Sequence, residues 1–217
     1  MHDWPTLQDV KDTNLVISPH VTRTPLHHYI SLDTILNAQI YVKHENYQRL
    51  GSFKTRSSVS VVSWLASNEN VRDLIVASSG NFGQGIAYAA SIYGLHSHVV
   101  VPSDINPDKA MAMKMYGANL ISYGKHFDEA RGHAEKLAER EGYRYIHSAN
   151  EPLLITGSGT YTLEILEDLP EVDIIIVPVG GGSGASGACI VAKSINPQIE
   201  VIGVQAENSP GAYLSWE

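Results

Sequence analysis

The run Glu45-Asn46-Tyr47-Gln48-Arg49-Leu50-Gly51-Ser52-Phe53-Lys54-Thr55-Arg56 places one amine, that of Lys54, at the start of a helix. A β-type stretch, Ile40 to Lys43, leads into it, and a serine- and valine-rich helical stretch, Ser57 to Ala66, leads out. At a helix start the backbone field disfavours positive charge, so a neutral, nucleophilic amine is easier to hold there. A neutral lysine can condense with an aldehyde to an imine. Taken alone, a lysine in such a place is more often an ordinary solvated helix residue.

Two further stretches carry the residue types of a ligand site. Ser78-Ser79-Gly80-Asn81-Phe82-Gly83-Gln84-Gly85 combines glycines that permit close backbone approach with hydroxyls, amides and a helix start that offer donors to a carboxylate or phenolate oxygen. By itself it is equally a glycine-rich turn with an Asn/Ser cap. Val179-Gly180-Gly181-Gly182-Ser183-Gly184-Ala185-Ser186-Gly187 exposes a row of backbone N–H groups at another helix start, the make-up of a phosphate cradle. A structural turn rarely needs so many glycines. It is neither a P-loop nor a dinucleotide fingerprint, because no Lys-Ser/Thr pair follows and the glycine spacing differs.

The elements that must position these stretches alternate. Strands are expected at Leu74–Ala77, His98–Val101, Asn119–Ser122, Tyr143–His147, Val172–Val179 and Ile199–Val204. Between them lie helices at about Gln84–Tyr93, Pro107–Tyr116, Phe127–Glu141, Gly159–Asp168 and Ala185–Ser194. Upstream, Thr6 and Asp9 suggest a capping box, with Val10, Leu15 and Val16 on one apolar face, and Asp33 to Asn37 suggests a short helix. Such alternation predicts an α/β chain with parallel sheets covered by helices on both faces, and Val172–Val179 reads as a fully buried strand. Ligands then bind outside the carboxyl ends of strands, where all three stretches fall. The chain stops at Ser215-Trp216-Glu217, just past a strand that should lead into another crossover, so the C-terminal part of the fold is expected to be missing.

Composition narrows the function classes. The chain has 217 residues, 43% of them hydrophobic, and a formal net charge of −8, which argues against nucleic acid or an acidic membrane surface as partner. One cysteine, Cys189, excludes an intrachain disulfide and is expected in the core. The ten histidines show no metal-ligand spacing, so no metal site is expected, and His27, His28, His96 and His98 read as surface or edge residues. The sequence around Gly157-Ser158-Gly159 lacks nucleophile-elbow spacing. With no basic-then-apolar leader pattern and no long apolar run, a cytoplasmic protein is expected.

The three stretches, in this order, resemble the fold type II (tryptophan synthase β-like) family of enzymes dependent on pyridoxal 5'-phosphate (PLP), and within it the threonine dehydratase and serine racemase branch. The resemblance runs from about Thr24 to Gln205. It takes in Gly51-Ser52-Phe53-Lys54, Ser78-Ser79-Gly80-Asn81, the run from Pro107 through Lys114 and Gly117-Ala118, Phe127 to Ala130, Thr160 to Leu169 and Val177 to Gly182. It implies two open parallel-sheet, three-layer domains: a large discontinuous one of residues 1–73 and 143–217, and a small one of 74–142. It also implies that Lys54 bonds PLP as an imine, that Phe53 lies against the cofactor ring, and that Asn81 bonds its 3'-oxygen. Gly180, Gly181, Gly182, Ser183 and Gly184 would hold the phosphate. Ser78, Ser79, Gly80, Asn81 and Phe82 would surround the substrate, with Ser78 and the backbone near Asn81 and Phe82 receiving its carboxylate. Lys54 would remove the α-proton, and Ser79 would stand as proton donor on the opposite face.

The implied activity is conversion of L-threonine, and L-serine, to a 2-oxo acid and ammonia, with a homodimer as assembly. Three departures bear on it. Ser183 replaces a glycine usual in the phosphate loop, Phe82 replaces a histidine common after that asparagine, and Gln205 stands where a metal-binding glutamate is often found. Ser79 matches the racemase branch, so serine racemase is the alternative. A β-replacement synthase, whose loop is threonine-rich, and a non-catalytic cofactor-binding fragment rank lower. The segment that would supply a partner to the cofactor's ring nitrogen is expected beyond Glu217.

Overall fold

A computed structural model describes residues 4–216. Helix α1 (Leu7–Ile17) opens on the expected capping box, Thr6 and Asp9 each bonding the other's backbone N–H. Its buried face is set by Val10 and Ile17, seven residues apart, whereas Leu15 and Val16 fall on the solvent side. Strand β1 (Leu26–His28) pairs antiparallel with β2 (Tyr41–Lys43) around the short helix α2 (Ile30–Leu36). A 3-10 turn (Glu45–Tyr47) and a loop then deliver α3 (Lys54–Asn68).

The central sheet is parallel. Strands β3 (Asp73–Ala77), β4 (His96–Val101), β5 (Asn119–Ser122) and β6 (Arg144–Tyr145) lie in the order β5-β4-β3-β6, with Val76 opposite Val99 and Val99 opposite Leu120. The connecting helices are α4 (Asn81–Tyr93), α5 (Pro107–Met115) and α6 (Phe127–Glu141). Alternation along the strands splits the core in two. Leu74, Val76, Val99 and Val101 face Ile86, Ala90 and Met113, while Ile75, Ala77 and Val100 face Ala130, Ala134 and Leu137 of α6. This is the helix–sheet–helix layering the sequence predicts. The strand expected at Tyr143–His147 is only two residues long, because His147 Nδ1 accepts from the backbone N–H groups of Ala149 and Asn150 and turns the chain away.

A second parallel pair, β7 (Ile174–Pro178) and β8 (Glu200–Val204), brackets α8 (Ser183–Ile195), with α7 (Pro152–Asp168) before it and α9 (Gly211–Trp216) after. Strand β7 is not the fully buried strand that its sequence suggests. Ile175 and Val177 join the core with Leu163, Leu166, Ala188 and Val191, but Ile174, Ile176, Ile202 and Val204 lie on an open face. No described element covers that face. Cys189 is also exposed rather than in the core, one position off the buried Ala188–Ala192 stripe.

Helices α4, α3, α7 and α8 stack side by side through small residues. A Cβ on Gly85 would lie 2.3 Å from Ser58 Oγ, one on Gly157 would lie 2.7 Å from the Arg56 carbonyl, and one on Gly187 would lie 2.6 Å from Gly159 N. This packing explains why α7 starts at Pro152 rather than near Gly159. Gly157 and Gly159 lie within the helix, at the sites where neighbouring backbones come close.

Candidate active site

The start of α3 is built by a tight turn. Gly51 takes a positive φ of 67°, Ser52 Oγ accepts from Lys54 N at 3.2 Å, and Thr55 Oγ1 donates back to the Ser52 carbonyl. Lys54 is thereby aimed across the fold, where its Nζ donates to Ser183 Oγ at 2.9 Å. Burial holds its amine below the ordinary lysine value.

The glycine loop joins β7 to α8. Gly182 has a φ of 93°, and no atom stands within 4 Å of a Cβ built on Gly180 or Gly182, so their backbone faces open space. A cleft of about 490 Å³ runs beside the loop, lined by Val179, Gly180, Gly181, Gly182, Gln205 and neighbours, and does not include Lys54. Gln205 is committed to fastening: its Oε1 accepts from the N–H groups of Ala212 and Tyr213 at the start of α9. Gly184 touches the lysine turn, since a Cβ there would meet the Phe53 ring at 3.4 Å and the Tyr161 hydroxyl at 3.3 Å. The Tyr161 ring stands edge-on to Phe53, and its hydroxyl donates to the Gly184 carbonyl at 3.1 Å. Burial pushes the Tyr161 hydroxyl well above the ordinary tyrosine range, so it stays a donor.

Helix α4, entered from the loop after β3, packs against the start of α3, where a Cβ on Gly85 would lie 3.2 Å from the Lys54 carbonyl. Ser78 Oγ is occupied in shaping the turn, accepting from Gly83 N at 2.9 Å and Gly80 N at 3.3 Å. Ser79 and Asn81 are exposed at the loop's tip. The Phe82 side chain is buried in the hydrophobic core, so this residue can meet a ligand only through its backbone. The starts of α3 and α8 meet, with α4 packed beside α3, and a helix start favours negative charge. Direct contact joins Lys54 to Ser183 and Phe53 to Gly184.

Sequence reasoning missed a buried ion cluster behind the lysine. Arg56 is fully buried and bonds Glu45 through Nε and Nη2, both at 2.9 Å, and Glu164 through Nη1 at 2.7 Å and Nη2 at 2.9 Å. Lys43 Nζ reaches Glu164 at 2.6 Å. Burial alone would lower the Arg56 pKa, but Glu45 and Glu164 outweigh it and the net shift is upward. The available signal is a second cation two residues after Lys54 and an acid opening the same stretch; Glu164 lies more than a hundred residues away. Tyr161 was missed for the same reason. Among the described residues no group of three or more His, Cys, Asp or Glu side chains is placed to hold a metal ion, and no helix is long and apolar enough to cross a membrane.

A lysine amine with its pKa lowered by burial thus faces a glycine loop at a helix start. Residues 17–217 match the family described as "Pyridoxal-phosphate dependent enzyme". The chain belongs to that family. The L-threonine ammonia-lyase of Thermotoga maritima is 40% identical over 210 residues, which make up 97% of this chain and 52% of that protein. The catabolic L-threonine dehydratase TdcB of Staphylococcus aureus is 39% identical over 207 residues, 95% of this chain and 60% of that one. The chain therefore spans about half to three-fifths of the curated relatives it matches. Among solved structures, a threonine deaminase from T.th. superposes with a TM-score of 0.90 at 35% identity, covering 97% of this chain and 68% of that one. Maize serine racemase does so with a TM-score of 0.92 at 30% identity, covering 97% and 64%.

The cofactor of this PLP-dependent family must fit the residues present, and they do fit. Lys54 supplies a desolvated amine to which no carboxylate is bonded among the described residues. The open N–H groups of the glycine loop and the start of α8 suit a phosphate ester. The exposed Asn81 amide offers a donor to a phenolate oxygen.

Proposed function

We propose that the chain carries the lysine-bearing part of a PLP-dependent ammonia-lyase that converts L-threonine, and L-serine, to a 2-oxo acid and ammonia. The observation that carries this reading is the Lys54 amine, desolvated and set 2.9 Å from Ser183 on the glycine loop. When bound, the cofactor supplies an electron sink for the charge left on the substrate's α-carbon. Lys54 would hold the cofactor through its amine, and that amine would take the substrate's α-proton. Gly180, Gly181, Gly182, Ser183 and Gly184 hold the phosphate, and Phe53 supports the loop from below. Asn81 orients the cofactor's hydroxyl side. Ser78, Ser79, Gly80 and the Asn81–Phe82 backbone take the substrate carboxylate at the start of α4. Residues 74–142 form the small domain in this reading, and the assembly is a homodimer.

Serine racemase is the second reading, favoured by the exposed Ser79 hydroxyl on the β3–α4 loop and by the similarity to the maize protein. One experiment separates the two. The protein is mixed with PLP, its absorbance followed with and without L-threonine, and 2-oxobutanoate assayed beside D-serine formation from L-serine. Spectral change lost in Lys54→Ala, with 2-oxobutanoate produced, is the expected result. An unchanged spectrum in Lys54→Ala would overturn the role of that lysine, and D-serine without oxo acid would favour the racemase.

A further inference from the structure

The Lys54–Ser183 contact is a hydrogen bond to a residue with a proton to spare. Ser183 is 4% exposed, at the first position of α8, on the edge of the glycine loop. Its Oγ accepts from Lys54, and among the described residues nothing accepts its own proton. Among the described residues no carboxylate pairs with Lys54 there, and burial lowers its pKa. The other groups against it are the Phe53 ring, whose centroid lies 4.9 Å from Nζ, and behind it the Tyr161 hydroxyl, committed to the Gly184 carbonyl. The amine is therefore held by a neutral oxygen that still has a donor to give.

We propose that Ser183 is a positioning residue that joins the lysine to the phosphate loop, its Oγ accepting from Lys54 while its proton is donated to a phosphate oxygen seated on that loop. This rests on the reading of residues 180–184 as a phosphate cradle. A hydroxyl is suited to the task because it donates and accepts at once, and a bond on either side strengthens the other. A phosphate on the loop draws the Ser183 proton outward and makes Oγ a better acceptor for the amine. The amine in turn fixes the hydroxyl with its proton towards the loop. A glycine at this position would leave anion and lysine without a shared atom.

The test uses the cofactor-free protein and inorganic phosphate, followed by phosphorus NMR titration. It compares the unaltered chain, Ser183→Ala, Lys54→Met and the double variant. Ser183→Ala is expected to weaken phosphate binding about tenfold, the value of one charge-assisted hydrogen bond. Lys54→Met is expected to cost about fivefold in the unaltered background and less than about twofold once Ser183 is alanine, because the coupling runs through the hydroxyl. Equal factors in both backgrounds would overturn the proposal, since serine and lysine would then act independently. In that case phosphate binding by the unaltered chain would leave the cradle reading standing. No phosphate binding at all removes the cradle reading and this inference with it. Ser183→Gly takes away the same hydroxyl and decides the matter where the alanine variant does not fold.

Discussion

Arg56 and Glu164 meet in two parallel hydrogen bonds of 2.7 and 2.9 Å, the arginine fully buried and the carboxylate nearly so. Glu45 closes on the same guanidinium from the other side, and Lys43 shares Glu164, so two cations and two anions balance in one buried cluster. Lys43 and Glu45 precede the lysine turn and Arg56 follows it. The cluster therefore ties both ends of that turn to α7. Arg56→Met is expected to destabilise the fold by about 3–5 kcal/mol, because Glu45 loses its guanidinium and Glu164 keeps only Lys43. Arg56→Lys keeps the charge but loses the planar fork, so its loss should be smaller but measurable. Urea unfolding checks both, and a loss for Arg56→Met within about 0.5 kcal/mol, the range of an ordinary surface change, would deny the cluster its role.

The charge on Lys54 opposes folding over a defined pH range. Burial lowers its folded value below the 10.5 of an exposed lysine, so between the two values the unfolded chain binds more protons than the folded one. Stability contributed by this group therefore rises with pH through that window. Below the folded value the penalty is fully present, and above 10.5 it is gone. Lys54→Met should remove this slope. The stability difference between the variant and the unaltered cofactor-free chain is expected to shift in favour of the unaltered chain as pH climbs from neutral towards 10.5. A difference that stays flat across that range would mean Lys54 is not desolvated.

The helix stack makes opposite predictions for two glycines in helices. A Cβ on Gly157 would press to 2.7 Å from the Arg56 carbonyl and 2.8 Å from Ser57 Cα, both backbone atoms with little room to move. Gly157→Ala is expected to cost about 1–3 kcal/mol by overpacking. Gly132 in α6 has nothing within 4 Å of its Cβ position, and Gly132→Ala is expected to stabilise by about 0.5–1 kcal/mol through helix propensity. Ser58 adds a control: its buried hydroxyl makes no hydrogen bond, so Ser58→Ala should be neutral or stabilising. Thermal unfolding of the three variants orders them, and a neutral Gly157→Ala would contradict the close approach of α3 and α7.

These glycines also mark where the sequence is legible and where it is not. Periodicity and turn residues place β3, β4, β5, α5 and α6 to within a few residues, because strand alternation and helix caps are local. The glycine loop and the lysine turn are legible for the same reason: they are local motifs beside strand ends. Gly157 and Gly159 mislead because a glycine that admits a neighbouring helix looks the same as one that ends its own. Cys189 and the face of α1 go astray by a fraction of a helical turn, which composition cannot fix. Ile174 and Ile176 make an apolar strand, but apolarity does not say whether a second layer covers it. Arg56, Glu164 and Tyr161 are invisible as a group, since only the fold brings them together.

Tyr161 offers a last test of how the glycine loop is held. Its hydroxyl donates to the Gly184 carbonyl at 3.1 Å, and its ring props Phe53 edge-on with centroids 5.7 Å apart. The two roles separate by substitution. Tyr161→Phe keeps the ring and loses the hydrogen bond, so the fold should lose about 1 kcal/mol, with inorganic phosphate binding weakened only a few-fold. Tyr161→Ala removes the prop as well and should cost about 3–5 kcal/mol. Because burial drives the hydroxyl's ionisation above the ordinary tyrosine value of 10.0, the stability this group lends is full below that value and falls as pH rises above it, where the unfolded chain loses the proton first. Ultraviolet titration should accordingly show Tyr161 absent from the phase near that value, together with Tyr88, Tyr93 and Tyr145, which burial also pushes upward, the last to about 12. Tyr161→Phe should leave that ordinary phase unchanged while removing a later one. If Tyr161→Phe instead reduces the ordinary phase, the hydroxyl is solvated, and the Gly184 carbonyl is not what holds it.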